Sequence, residues 1–169
     1  MHITFWHEFH ASSNTLDEGF DQSLFTVFHR VMQKKFRREI QSLEKVFDFI
    51  DQYFAENPIQ EPVLFSVKFV IEEVFTNMVK YNISDSNSDI AIFLNKTGNQ
   101  LTIRLTDFGV NQFDITKAKE VDTTLPLEDR KVGGLGIHLI RKMVDSIDYE
   151  YSNRQSTITL IKNLESEYV

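Results

Sequence analysis

The chain has 169 residues, of which 41% are hydrophobic, and it contains 15 phenylalanines. This length and apolar content predict one globular domain with its own core and argue against a disordered chain. The net charge of −7 disfavours nucleic acid or an anionic membrane as the main partner. The absence of cysteine excludes disulfides, thiolate metal sites and a cysteine nucleophile. No signal-like or membrane-spanning apolar run is present, so we expect a cytoplasmic protein without membrane contact.

Residues 1–31 differ from the rest of the chain, since they hold most of the histidines and the only tryptophan. These histidines lack a regular ligand spacing, which favours surface or packing roles over a metal site. We therefore expect an N-terminal extension over 1–31 and a self-contained domain over 32–169. Met32 stands where such a domain could begin as a protein of its own.

The domain opens with a short strand and two helices. Residues 35–40 alternate weakly and predict an edge strand. Ser42 is then the predicted cap of a helix that follows the 3.6-residue period and stops near Asn57. A longer helix is predicted over Val63–Tyr81, with Pro62 in its first turn, where a missing N–H has no cost.

The longer helix is apolar on almost every side, which is typical of a buried helix. One narrow ridge is polar and carries Ser66, Glu73, Asn77 and Lys80. Burying a carboxylate and a carboxamide without partners costs several kcal/mol, roughly. The ridge is therefore either the solvent face of the helix or a site where an ion, a water or a ligand supplies those partners.

Two hairpins follow in the second half of the chain. The first joins strands over Ile90–Leu94 and Leu101–Asp107 through a Lys-Thr-Gly-Asn turn. Alternation in the second of these strands places Asp107 at the end of a buried row of side chains. The second hairpin, over Ile147–Tyr151 and Ser156–Lys162, closes the chain.

A long polar segment over 112–132 separates the hairpins, and segments of this length are usually lids or disordered. Gly133-Gly134-Leu135-Gly136 then opens a helix, and free N–H groups at such a helix start suit a phosphate. Arg130 lies just upstream and can add a cation. This glycine run also fits an ordinary tight turn, and it matches neither the dinucleotide fingerprint nor a Walker loop.

The order of predicted elements is strand, helix, helix, two strands, lid, helix, two strands. This order predicts an α/β (α+β) two-layer sandwich, with helices on one face of a mixed, mainly antiparallel sheet. Asp107-Phe108-Gly109 imitates the magnesium-binding triplet of protein kinases, but the other kinase motifs are missing and the chain is too short for that fold.

Three motifs in this order carry a family resemblance. Glu73-x-x-x-Asn77, then Asp107-x-Gly109, then Gly133–Gly136 resemble the N, G1 and G2 boxes of the GHKL ATPases. These ATPases share the Bergerat fold and include histidine kinases, type II topoisomerases and the Hsp90 chaperone. The stretch around Glu73 and Asn77, residues 127–137 and the last strand are most similar to the anti-sigma-factor serine kinases of the RsbW/SpoIIAB group.

The resemblance implies a role for each motif in binding ATP and Mg²⁺. Asn77 would hold Mg²⁺ against the phosphates, and Glu73 would be the general base. Asp107 would accept a hydrogen bond from the adenine amino group, and 112–132 would be the ATP lid. The other implied nucleotide-binding residues are Lys80 at the pocket edge, Gly109, Asn111, Arg130, Gly133, Gly134, Leu135, Gly136 and Ser156.

The sequence departs from the family pattern at two places. Asn111 replaces the second glycine of the G1 box, and asparagine tolerates left-handed backbone angles better than most residues. Gln155-Ser156 replaces a Gly-Thr pair near the last strand, and Ser156 keeps a hydroxyl for the nucleotide.

Two functions are consistent with these motifs. The first is an ATP-dependent serine kinase that sequesters a sigma factor or another regulatory protein and phosphorylates a STAS-domain antagonist. The second is a nucleotide-gated partner-binding module of the same fold without significant kinase activity. The resemblance also implies a homodimer. A histidine kinase is a poorer third choice because no helix pair with a phosphoacceptor histidine precedes the ATPase part.

Overall fold

The fold was analysed in a computed structural model, which describes residues 31–81, 88–112, 114 and 135–164. The strands are β1 (Met32–Arg37), β2 (Asp89–Thr97), β3 (Gln100–Phe108), β4 (Ser146–Ser152) and β5 (Gln155–Asn163). The helices are α1 (Leu43–Glu56), α2 (Glu61–Tyr81) and α3 (Leu135–Met143), and a single 3-10 turn over Ile40–Ser42 precedes α1.

The five strands form one sheet in the order β1-β2-β3-β5-β4, and each of the four pairings is antiparallel. Buried residues from the three helices and from alternate positions of the strands make up a single core. The helices therefore form one layer and the sheet the other. The predicted two-layer α+β sandwich is confirmed, as are the two predicted hairpins, whose strands extend a few residues beyond the predicted bounds.

The start of α1 differs from the prediction. Ser42 makes no capping hydrogen bond through its side chain, and its φ and ψ of −72° and −14° are already helical. The chain enters α1 through the 3-10 turn, so Ser42 lacks the extended backbone that a capping residue needs. The helix end is as predicted: Asn57 follows the last residue of α1, and its amide donates to the Tyr53 carbonyl at 2.8 Å.

The long helix α2 forms as predicted and begins two residues earlier, so Pro62 lies in its first turn. Its apolar stripe is buried in the core through Val67, Val70, Ile71, Val74, Phe75 and Met78. The helix is not buried on every side, however, because the apolar side chain of Phe65 is 71% exposed. No helix in the described part of the chain is long and apolar enough to cross a membrane.

Candidate functional site

Two motifs that lie about sixty residues apart in the sequence meet where α2 passes the start of α3. Glu73 is half-buried on α2, and Gly136 is the second residue of α3. A Cβ atom built on Gly136 would lie 2.8 Å from Cδ of Glu73 and closer still to its Oε2. The carboxylate of Glu73 therefore occupies the space that a side chain at position 136 would take, and a glycine is needed there for this arrangement.

The rest of the polar ridge on α2 ranges from half-buried to exposed. Ser66, Glu73 and Asn77 are half-buried, whereas Lys80, in the last turn, is exposed. Ser66 bonds within its own helix, since its hydroxyl donates to the Pro62 carbonyl at 3.4 Å. The ridge is thus neither an ordinary solvent face nor fully enclosed. Apart from Ser66, its half-buried polar groups are the carboxylate of Glu73 and the amide of Asn77.

The other end of the predicted site lies on the sheet. Asp107 of β3 is the register partner of Ser156 of β5, so both side chains project from the same face of the sheet. Asp107 is 0% exposed and Ser156 is 1% exposed. The Ser156 hydroxyl lies 3.2 Å from the Tyr149 hydroxyl of β4. A carboxylate and a hydroxyl are thereby held side by side among the core residues, at the end of the row that alternation in β3 predicted.

The structure adds a residue to this end of the site that the sequence did not indicate. Nε of Arg38 lies 3.2 Å from Oδ1 of Asp107, and the side chains of this ion pair are only 9% and 0% exposed. Arg38 follows β1, which is separated from β3 by β2. In the sequence it is the second of two adjacent arginines within the predicted edge strand over 35–40, a pattern typical of solvated charge, so no local signal pointed to it. The strand ends earlier than predicted, at Arg37.

The turn after Asp107 is fastened to the β4–β5 hairpin. Gly109 has a φ of 70°, a conformation that favours glycine. The backbone angle, and not a lack of space, is the reason for glycine here, because a Cβ would meet nothing within 4 Å. The Tyr151 hydroxyl donates to the Val110 carbonyl at 3.0 Å, and the Arg154 guanidinium donates to the Gly109 carbonyl at 3.1 Å. Asn111 is exposed and is not among the residues with positive φ, so a left-handed angle is not what this position requires.

Several predicted site residues lie outside the described residues, namely Arg130, Gly133, Gly134 and nearly all of the predicted lid over 112–132. The same holds for the N-terminal extension, apart from Val31, and for the side chain of Leu135, whose backbone begins α3. Within the described residues, no cluster of three or more histidine, aspartate or glutamate side chains is placed to hold a metal ion.

Comparisons with known proteins identify the family. A family model described as histidine kinase-like ATPase domain matches residues 36–162. Proteins named serine-protein kinase RsbW from Bacillus thuringiensis and Bacillus cereus are 30% identical over 120 residues, which is 69% of this chain and 71% of theirs. A protein of the same name from Bacillus anthracis matches to the same extent.

A solved structure shares the fold. It is the crystal structure of the RsbU and RsbW domains of a Mycobacterium tuberculosis protein, with a TM-score of 0.55 and 14% sequence identity. The match covers 80% of this chain, which spans about a third (32%) of that longer protein. The motifs, the fold and the sequence matches together show that this chain belongs to the histidine kinase-like ATPase domain family, in its group of RsbW-type serine-protein kinases.

Proposed function

We propose that the protein is an ATP-dependent serine kinase that acts as an anti-sigma regulatory factor. In this role it sequesters a sigma factor and phosphorylates a serine on a STAS-domain antagonist. The observation that carries the proposal is the contact between Glu73 and Gly136, because it brings the carboxylate of one motif to the glycine-rich helix start of another. A base and a phosphate-binding helix start must be neighbours if the base is to act on a hydroxyl that attacks the γ-phosphate.

The residues present suit Mg-ATP, which supplies the phosphoryl group for transfer. N–H groups at the start of α3 and the positive end of its dipole favour phosphate. The amide oxygen of Asn77, one helical turn after Glu73, would hold the Mg²⁺ ion; amide oxygens are normal ligands of this cation. Gly136 also suits this site, because its lack of a side chain leaves room for the Glu73 carboxylate next to the helix start.

The described residues also include groups that would bind adenine and a group that would act as the general base. Asp107 would accept a hydrogen bond from the adenine amino group, with the Ser156 hydroxyl beside it. Glu73 would take the proton from the attacking serine hydroxyl of the antagonist. Phosphoryl transfer depends chiefly on positioning and charge neutralisation. In this proposal Asp107 and Ser156 position the adenine, and Glu73 is the general base.

The proposal is tested by incubating the purified protein with γ-labelled ATP, Mg²⁺ and a STAS-domain protein encoded next to it, and by locating the label. We expect label on a serine of the STAS protein. In Glu73→Gln the rate of transfer should fall by roughly 10²-fold or more, because proton transfer by a positioned side chain contributes about that much. The affinity for ATP should persist.

Glu72→Gln is the matched control, since Glu72 precedes Glu73 on α2, is half-buried as well and points elsewhere on the helix. Its transfer rate should match that of the unsubstituted protein. Equal rates in Glu73→Gln and Glu72→Gln would exclude Glu73 as the base. Tight binding of the STAS protein without any transfer would instead support the nucleotide-gated binding module.

A further inference from the structure

The ion pair between Arg38 and Asp107 has no role in the function proposed so far. An arginine side chain that is only 9% exposed is unusual, because charged side chains are rarely buried unless they are paired. Its partner is the one carboxylate on the core-facing row of β3, and this carboxylate is 0% exposed. The pair therefore lies at the edge of the core, next to the serine hydroxyl of β5.

Arg38 reaches Asp107 from a distance in the sheet. Phe36 of β1 pairs with Ile90 of β2, and Ile90 pairs with Asp107 of β3. Since neighbouring strands are about 4.8 Å apart, β1 and β3 are separated by roughly 10 Å. The side chain of Arg38 must therefore extend across the end of β2 to bring its Nε to 3.2 Å from Oδ1 of Asp107.

This geometry restricts the carboxylate. Arginine presents its N–H donors in a rigid planar fork, which fixes the orientation of a carboxylate better than the point charge of lysine does. The contact of Nε with Oδ1 is an ion pair rather than an aligned hydrogen bond, but the guanidinium charge 3.2 Å away draws Oδ1 towards it and so favours one direction for the second oxygen, Oδ2. An acceptor in a fixed direction can distinguish a base that has a donor at that point from a base that lacks one.

We propose that Arg38 is a positioning residue for base recognition, which holds the carboxylate of Asp107 in the orientation that accepts the exocyclic amino group of adenine. This inference rests on the proposed function, because it requires that Asp107 reads the base of ATP. Arg38 thus contributes to the preference for adenine without belonging to any of the three motifs.

The experiment compares two nucleotides by calorimetry in the presence of Mg²⁺: ATP, and purine riboside triphosphate, which lacks only the amino group. The unsubstituted protein should prefer ATP by about tenfold or more, which is the size of one hydrogen bond to a charged group. In Arg38→Ala the preference should shrink to about threefold or less, because the carboxylate loses its fixed direction. A purely structural role would weaken the binding of both nucleotides equally and leave their ratio unchanged.

Arg37→Ala is the matched control, since Arg37 is the preceding residue, is exposed and belongs to the same strand end. Its preference should equal that of the unsubstituted protein. Arg38→Lys keeps the charge but lacks the planar fork, so its preference should fall between those of Arg38→Ala and the unsubstituted protein, and it decides the question if Arg38→Ala does not fold. An undiminished preference in Arg38→Ala, or in Arg38→Lys if Arg38→Ala does not fold, would overturn the inference while leaving the proposed function intact. No binding of ATP by the unsubstituted protein would overturn both.

Discussion

The two ends of the candidate site are built differently. At the base end, Asp107, Ser156 and Arg38 are almost completely enclosed, and two of them stand on neighbouring strands in the middle of the sheet. At the phosphate end, Glu73 and Asn77 are half-buried on one helix, and the carboxylate of Glu73 lies against the start of a second helix. The first set is part of the core, and the second set lies at the margin of the core.

This difference separates stability from function. A polar group inside the core must be matched by its neighbours, so replacing it disturbs the fold as well as the site. A group at the margin is partly in contact with solvent, so replacing it affects ligand binding and the reaction far more than the stability of the fold. We therefore expect substitutions at the base end to lower the free energy of unfolding, and substitutions at the phosphate end to leave it nearly unchanged.

The largest effect is expected from Asp107→Ala. It leaves the guanidinium of Arg38 buried without its partner carboxylate, and breaking a buried pair in this way costs about 3–5 kcal/mol. Chemical denaturation should show this loss in the free energy of unfolding, and nucleotide binding should be lost as well. Asp148→Ala, at an exposed position of β4, is the control and should change the stability little.

The double variant Arg38→Met/Asp107→Leu sharpens this test. Replacing both members of a buried pair with apolar residues is often neutral or stabilising. The double variant should therefore regain much of the stability that Asp107→Ala loses, and it should still fail to bind ATP. A loss of stability in Asp107→Ala no greater than in Asp148→Ala would mean that the buried ion pair at the base end does not stabilise the core.

At the phosphate end, Asn77→Ala tests the predicted magnesium ligand. Removing one contact to a charged group costs about 1.5–3 kcal/mol, so the affinity for ATP should fall by roughly 10-fold to 100-fold in the presence of Mg²⁺. With the metal chelated, Asn77→Ala and the unsubstituted protein should bind ATP alike. The free energy of unfolding should barely change because Asn77 is half-buried. The same loss with and without Mg²⁺ would argue against a metal ligand.

Sequence periodicity predicted the elements that build both ends, for a simple reason. The buried stripe of α2 and the alternation of β3 are local patterns, and each is set by which side of one element faces the core. The position of Asp107 at the end of a buried row followed from the same alternation and is confirmed. The predicted cap at Ser42 was wrong because the preceding 3-10 turn, which depends on how the chain leaves β1, replaced the extended entry that a cap requires.

Contacts across the fold were not accessible from the same patterns. Arg38 and Asp107 are joined across two strand spacings, and nothing in the sequence around Arg38 distinguishes it from the exposed Arg37. The meeting of Glu73 with Gly136 depends on the packing of α2 against α3, which periodicity alone does not specify. Only the family resemblance indicated that these two motifs belong together.

Gly136→Ala should lower the activity without lowering the stability. The new Cβ would take the space of the Glu73 carboxylate, which must swing away, and misplacing a reacting group by about 1 Å costs up to about 10²-fold in rate. We expect phosphotransfer to fall by about tenfold or more. Alanine favours helix over glycine by up to about 1 kcal/mol, so the free energy of unfolding should stay the same or rise.

Gly98→Ala is the control for Gly136→Ala, because Gly98 has a positive φ of 58° in the β2–β3 turn. There alanine should lower the stability through backbone strain and leave phosphotransfer unchanged. If Gly136→Ala left the transfer rate unchanged, the present position of the Glu73 carboxylate would not be the one used in the reaction.

A small effect is expected from Tyr151→Phe, which tests how the base end is held from outside the core. The variant removes the hydroxyl that donates to the Val110 carbonyl, a hydrogen bond worth about 1 kcal/mol. The Gly109–Val110 turn should loosen, and the affinity for ATP should fall by a few-fold at most, as measured by calorimetry. Arg154→Ala removes the neighbouring hydrogen bond to the Gly109 carbonyl. This hydrogen bond is exposed to solvent, so its loss should lower the affinity for ATP even less. If Tyr151→Phe weakened ATP binding more than Asn77→Ala, the base end would depend on its surface turn more than on the buried ion pair. The two ends would then not differ in the way that their burial indicates.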